Sequence, residues 1–274
     1  MKFSILVLLV LFWLSVAAKQ GKTGKSGKPD TKMQCSALKN QVNSLVSSTK
    51  ILQDKLSKCR ERDRCPREGP DGIYNITIPG IKTFEAPCIS CGWMVIQKRF
   101  DNSTSFNRTW DEYKNGFGDI NREFFFGLEK LHIMTEAKPY ELFIRVRIQN
   151  GTSAYARYDH FKIGSEKDGF DLRVVGNYSG TAGDSLKEHE KRKFVTHDRD
   201  NARNYGKRYG GGWWYLDTNR SNLNGKVLLN TPGAKGFGFW IPLQNNKTTL
   251  TRTEMRIRPK SECTLHNRKQ ERPL

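Results

Sequence analysis

Residues 197–210 read HDRDNARNYGKRYG and bring together side chains that could do chemistry. Asp198 and Asp200 place carboxylates at alternate positions. A loop uses that spacing to surround calcium, which collects six to eight oxygens at about 2.3–2.6 Å. The pattern then breaks, because Ala202 carries no oxygen and Arg203, Lys207 and Arg208 add positive charge. Of the scattered histidines at 132, 160, 189, 197 and 266, the tempting one is His197 beside Asp198, and such a pair is more often a surface contact than a catalytic base. GxSxG, HExxH and P-loop motifs are absent and there is no pair of CxxC motifs, so the residues point to binding and not to catalysis.

The cysteines at 35, 59, 65, 88, 91 and 263 make an even number, so none needs to stay a free thiol. Seven Asn-x-Ser/Thr sequons lie at Asn75, Asn102, Asn107, Asn150, Asn177, Asn219 and Asn246, and any that are occupied must face solvent. Both features suit export. The first 18 residues, MKFSILVLLVLFWLSVAA, have the grammar of a signal peptide: Lys2, an apolar run from Ile5 to Leu14, then small residues with cleavage near Ala18. That run is half the roughly 20 residues a bilayer core requires, so the rival reading of a signal anchor is weaker, and no later stretch is apolar enough to span. A secreted, extracellular protein is expected, without a membrane span.

A formal net charge of +19 would suggest nucleic acid in a nuclear protein, a partner that an exported chain rarely meets. Residues 19–64 hold twelve Lys/Arg against four Asp/Glu, and residues 252–274 seven against three. The excess is therefore read as residing on tails, where it attracts acidic glycans or is simply solvated.

Residues 19–32 form a basic, flexible arm rich in Gly, Lys and Ser. From Cys35 through Leu38, Val42, Leu45, Thr49, Leu52 and Leu56 to Cys59 the spacing alternates 3 and 4, the a/d seam of a short coiled coil over 33–62. The flanks carry no opposite charges that would specify a partner. Cys35 and Cys59 could instead bridge equivalent positions of a homo-oligomer, the alternative being one amphipathic helix packed on its own domain. Beyond Pro66 come alternating strand-like runs at 93–100, 140–148 and 254–259, and brief helices at 109–118 and 127–134. Between 164 and 250 periodicity fades into Gly, Asn and Asp, which implies long ordered loops.

The ordered series GIYNI (72–76), GWMVIQKRF (92–100), WDEYKNGFGD (110–119), EFFFGLEKLHIMT (123–135), YELFIRV (140–146), AYARYDHFKIGSE (154–166), YSGTAGDSL (178–186), DRDN (198–201), WWY (213–215), SNLNGK (221–226) and EMRIRP (254–259) resembles the fibrinogen C-terminal domain. The resemblance implies an α+β domain over 65–260, with a central, mostly antiparallel sheet and long loops, between the coiled-coil helix and a basic tail at 261–274. It pairs Cys65 with Cys88.

In the family register Asp200 matches the first calcium ligand, Ala202 the second, and Asn204 and Gly206 the two carbonyl donors. Weak or absent calcium binding follows, unless Asp198 or the Asn204 side chain swings in, and no cofactor is expected. The family's second disulfide falls on Arg208 and Thr218 and is lost, and the loop before Trp213 is shorter by about three residues. Tyr209, Asn219 and Lys235 occupy the positions of the family's acetyl-group pocket, where a glycan on Asn219 would obstruct the mouth. Cys91 and Cys263 are left to bridge the ends of the domain, with an interchain role for Cys263 as the alternative. The function implied is lectin-like recognition of glycans or pathogen surfaces. The alternative is an angiopoietin-like or matrix ligand of a cell-surface receptor.

Overall fold

The computed structural model describes residues 31–61, 63–217, 220–227, 238–241 and 250–260. The chain divides into two compact units, 1–56 and 57–274. Helix α1 spans Thr31–Glu61, close to the expected segment, with its residues up to Leu56 in the first unit. Its seam residues Leu38, Val42, Leu45 and Leu52 are 51–66% exposed. The Thr49 hydroxyl donates back to the Leu45 carbonyl at 2.9 Å, so this polar seam residue is satisfied within its own helix. The side chains of Cys35 and Cys59, and the arm before the helix, lie outside the described residues.

In the second unit the chain runs through β1 (Gly72–Ile76), β2 (Phe84–Ile89), β3 (Trp93–Arg99), α2 (Trp110–Asn115), β4 (Phe117–Gly118), β5 (Phe124–Phe125), α3 (Leu128–Ala137), β6 (Tyr140–Ile148) and β7 (Ser153–Ile163). Then follow β8 (Leu172–Val175), β9 (Tyr178–Gly180), α4 (Tyr205–Tyr209), β10 (Ser221–Asn222), β11 (Phe239–Trp240) and β12 (Leu250–Pro259). The main sheet is ordered β1-β2-β3-β12-β6-β7-β8, and every pairing in it is antiparallel. The last strand thus fills the centre, between β3 and β6, so the sheet closes only when the end of the domain arrives.

Period-two alternation explains why these segments are strands. Tyr140, Leu142, Ile144, Val146 and Ile148 of β6 point inward with Met255 and Ile257 of β12, all buried, while Phe143, Arg145 and Arg147 face outward. Helix α3 packs on β7 and buries Leu128, Leu131 and Met134. Helix α2 starts where the sequence indicates. Thr109 caps it in a capping box with Glu112, and Gly116 ends it.

Two expectations about the scaffold meet the structure differently. Cys65 and Cys88 form the disulfide, with Cα atoms 5.4 Å apart across 23 residues, a closure worth about 3 kcal/mol by chain entropy. The assignment of positive charge to tails needs correction. Arg252, Arg256 and Arg258 are the outward half of β12, in the middle of the sheet, while residues 261–274 lie outside the described residues.

A buried polar hub joins the sheet to the loops. Arg99, 2% exposed, donates from Nη1 to the carbonyls of Asn224 and Gly225, each at 2.7 Å, and its guanidinium lies 4.1 Å from the Phe106 ring centre. Gln97 Nε2 donates to the Leu223 carbonyl at 2.7 Å and to Thr253 Oγ1 at 3.0 Å. The buried Glu123 beside Arg99 accepts from the backbone amides of Phe100, Asp101, Asn102 and Thr104. These contacts hold residues 221–227 against β3 and β12, and that segment backs the candidate site.

Candidate binding loop

The loop over residues 195–217 leaves the core at a bridge between Val195 and Trp213. Trp213 and Trp214 are fully buried, so the tryptophan pair is packing and not an exposed platform. Trp214 Nε1 donates to the Phe170 carbonyl at 2.8 Å, and its own carbonyl accepts from His189 Nδ1 at 2.7 Å. The Nε2 of His189 then accepts from the Ser221 amide at 3.2 Å. Burial pushes this imidazole down to about 4, so it is neutral at physiological pH and ties two loop segments together.

Asp198 turns away from the loop centre. Its Oδ1 accepts from the Trp110 amide at 3.0 Å and from Thr196 Oγ1 at 2.7 Å, so it serves the first amide of α2. Burial opposes ionisation of this carboxyl, but the hydrogen bonds prevail and hold it below the ordinary carboxylate range.

Asp200 points inward, toward the loop, and is fully engaged. Oδ1 accepts from the amides of Asn201 and Gly206, and Oδ2 from that of Lys207, all at 2.9 Å. Asn204 adopts left-handed backbone geometry, with φ 55°, and begins α4. Its carbonyl accepts the Arg208 amide at 2.9 Å, and the Gly206 carbonyl accepts that of Gly210 at 3.1 Å. A Cβ on Gly206 would stand 2.5 Å from the Thr196 backbone, so only glycine lets α4 sit this close.

These donors do not fit calcium. One carboxylate is bonded to three amides, both expected carbonyls are used by helical N–H groups, and the Ala202 position supplies no oxygen. Among the described residues no group of three His, Cys, Asp or Glu is arranged to hold a metal ion. A carboxylate closing on the start of α4 supplies the negative charge that amides need there.

The shortened turn after α4 explains its glycines. A Cβ on Gly212 would lie 2.6 Å from the Phe194 ring and 2.7 Å from the Tyr113 ring, and the Gly212 amide donates to Tyr113 Oη at 2.9 Å. Asn224 Nδ2 donates to the Gly212 carbonyl at 2.8 Å and closes this path from the other side.

Tyr209 lies half-buried at the end of α4. Its ring stacks on Tyr215 at 5.4 Å and 27°, meets Phe239 edge-on at 5.8 Å and lies 5.9 Å from Tyr205. Tyr205 and Tyr215 are buried, whereas Tyr209 and Phe239 are only partly buried. The guanidinium of Arg208 lies 5.5 Å from the Tyr209 ring centre, and Arg203 pairs with Asp217 at 3.1 Å. Asn219 and Lys235 lie outside the described residues, so the structure brings together the tyrosine of the expected pocket with three aromatic partners that the sequence reading did not include. The i, i+4 spacing of Tyr205 and Tyr209 was the available signal for the first of them. Phe239 gave none, because 29 residues separate it from α4.

Of the remaining expected sites, Cys91 has no disulfide partner among the described residues and sits at φ 65°, a left-handed position. Its carbonyl accepts from Arg258 Nη1 at 3.3 Å, which places the end of β12 beside it. Cys263 lies outside the described residues, as do Asn219 and Asn246 among the sequons. The other five sequon asparagines are exposed. Asn102 alone among them is built into the hub, with Nδ2 donating to the Val227 carbonyl at 2.7 Å and Oδ1 accepting its amide at 2.9 Å.

Comparison with known proteins agrees with this architecture. Residues 71–260 match the family model described as "Fibrinogen beta and gamma chains, C-terminal globular domain". The chain is 38% identical to fibroleukin of Bos taurus over 211 residues, covering 69% of this chain and 48% of that protein. It is 41% identical to fibrinogen C domain-containing protein 1 of Homo sapiens over 181 residues, covering 62% and 39%. It thus spans less than half of each of these two relatives. The solved fibrinogen-like globe domain of human ANGPTL2 superposes with a TM-score of 0.66 at 32% identity, covering 70% of this chain and 93% of that domain. With its sheet order, first disulfide and loop region in place and most of its length matched, this chain belongs to the fibrinogen C-terminal domain family.

Proposed function

We propose that the chain is a secreted, non-enzymatic recognition protein that binds glycans on microbial or host surfaces, in a lectin-like manner, without calcium. One observation carries this reading. The loop that a metal would otherwise organise is closed by Asp200 on the start of α4, and it still presents the partly exposed rings of Tyr209 and Phe239. An aromatic edge beside amide groups suits the face of a sugar ring or an acetyl methyl. A single site of this kind is weak. The exposed seam of α1, with Cys35 and Cys59 at its ends, supports self-association into a disulfide-linked homo-oligomer whose linked sites bind with avidity.

The test is retention of the secreted protein on N-acetylated and non-acetylated sugar resins, with calcium and with chelator. Retention on the acetylated resin that chelator leaves unchanged, that free acetylated sugar reverses and that Tyr209→Ala abolishes is the expected result. Loss of retention in chelator would overturn the calcium-free reading. Absence of retention under every condition would favour a second reading, supported by the likeness to the ANGPTL2 globe domain, in which the same loop face binds a cell-surface receptor or matrix protein.

A further inference from the structure

The outward face of the sheet carries charge that the loop site does not use. On β6, β12 and residues 153–157 of β7 the outward side chains include Arg145, Arg147, Arg157, Arg252, Arg256 and Arg258, against Glu141 and Glu254. At one end Glu141 serves two arginines, accepting from Arg157 at 2.6 Å and from Arg258 at 2.5 Å. At the other end the arginines outnumber the carboxylate further: Arg252 stands directly opposite Arg147, and Arg145 directly opposite Glu254.

Like charges facing each other across a strand pair destabilise a sheet. Between them opens a cavity of about 90 Å³ lined by Arg145, Val146, Arg147, Ser153, Arg252 and Glu254, which is several times the space one water needs. Its single carboxylate is only 5% exposed and is already shared between Arg256 at 2.5 Å and Arg252 at 3.6 Å, fewer negative charges than the arginines around it. An oxoanion entering the cavity would meet guanidinium forks whose geometry matches its oxygens, and would turn the Arg147–Arg252 repulsion into attraction. Beside the cavity Phe143 and Tyr155 stack at 5.5 Å and 11°, with Tyr155 37% exposed, an apolar step on which a ring can rest.

We infer that this arginine face is a second binding site, for a linear sulfated polysaccharide, with one sulfate seated in the cavity. Charges there repeat at about 5 Å across strands and about 7 Å along them, an array that a chain of anionic groups engages more fully than one free ion does. Anionic lipid is concentrated on the cytoplasmic leaflet, which an exported chain does not meet. The inference shares only the assumption of export with the proposed function, and binding to acetyl resin does not report on it.

The test is binding of the full secreted protein to immobilised heparin between about 50 and 300 mM salt, where affinity for a polyanion falls with the number of ion contacts. Each protein is assayed after enzymatic deglycosylation, because Asn150 occupies the tip of the hairpin that ends at the cavity. The combined change Arg145→Gln, Arg147→Gln and Arg252→Gln is expected to weaken binding at least ~10-fold and to flatten the salt dependence by about two to three contacts. Ser153→Glu, which adds a carboxylate at the rim and removes no arginine, is expected to weaken it several-fold and decides the matter if the triple variant is not secreted. Replacing Lys22, Lys25 and Lys28 by Gln is expected to leave most of the affinity intact. Unchanged binding in the face variants, or binding abolished by the arm variant alone, would overturn the site. Equal binding to desulfated heparin, or to phosphatidylserine vesicles through the same arginines, would overturn the choice of ligand.

Discussion

The strands and the loops of the globular unit are held by different means. Between β3 and β7, and through β12, order comes from backbone ladders over an apolar core. Residues 164–227 have few ladders, and order there comes from buried or half-buried polar side chains that bond backbone groups of other segments: Arg99, Gln97, Glu123, His189, Asp200 and Asn224. A core of many apolar contacts fails gradually, since deleting one methylene costs about 1 kcal/mol. A polar hub fails abruptly, because removing one member strands its partners without water. The loop region is thereby held by side-chain contacts of its own, at the expense of depending on a few single residues.

The largest test of this contrast is Arg99→Ala. It leaves Glu123 buried without its cation and removes the donor for two carbonyls, a loss of about 3–5 kcal/mol. Urea denaturation of the purified protein should show it, or the variant should fail to fold. Ile144→Val, in the core of β6, should cost only about 1 kcal/mol in the same assay. Equal effects would remove the distinction.

His189 offers the next largest effect, through pH. Its folded value of about 4 lies below the unfolded value near 6.5, so between these the unfolded chain binds the extra proton. Its contribution is therefore fully present above about pH 6.5 and is lost as pH falls toward 4, by up to about 3 kcal/mol at ~1.4 kcal/mol per unit. Protonating Nε2 would also set two N–H donors against each other at Ser221. Melting temperature followed from pH 7 to pH 4 should fall more steeply in the native protein than in His189→Gln, and parallel curves would refute the assignment.

Asp200→Ala should cost about 1–3 kcal/mol, expressed locally as faster hydrogen exchange at the amides of Gly206 and Lys207. Adding calcium should not protect those amides in the native protein, nor in Ala202→Asp, because the remaining donors stay engaged. Protection by calcium would show that the loop rearranges around the ion.

Cys91→Gly is the smallest. Relieving a left-handed non-glycine residue should raise stability under reducing conditions by about 1 kcal/mol, read as a shift in the urea midpoint. A loss instead would mean that the sulfur itself is needed. Peptide mapping without reductant shows whether Cys91 and Cys263 are joined in the oxidised protein.

Legibility in the sequence followed the same division. β3, β6 and β12 were readable because a sheet with one solvated face writes a period of two into its residues, and α2 because Thr109 and Glu112 are spaced for a capping box. The Cys65–Cys88 bond came from resemblance. The missing side-chain oxygen at Ala202 was visible, since it needs no geometry to be noticed. What Asp200 does instead was not visible, because its partners are amides, and every residue except proline has one. Phe239 beside Tyr209 was equally hidden, as two aromatic residues that far apart carry no mutual signal.

The sequence by itself determined the periodic elements, the capped helix, the heptad seam and the missing side-chain oxygen at Ala202, all of which depend on residue type at short spacing. Only the tertiary structure decided that Arg252, Arg256 and Arg258 lie mid-sheet and not on a tail. It also decided that Arg147 and Arg252 face each other across a cavity, and that one carboxylate closes the binding loop. Those outcomes depend on which strand enters the centre of the sheet and on where backbone amides converge, and pairing between distant segments leaves no local pattern to read.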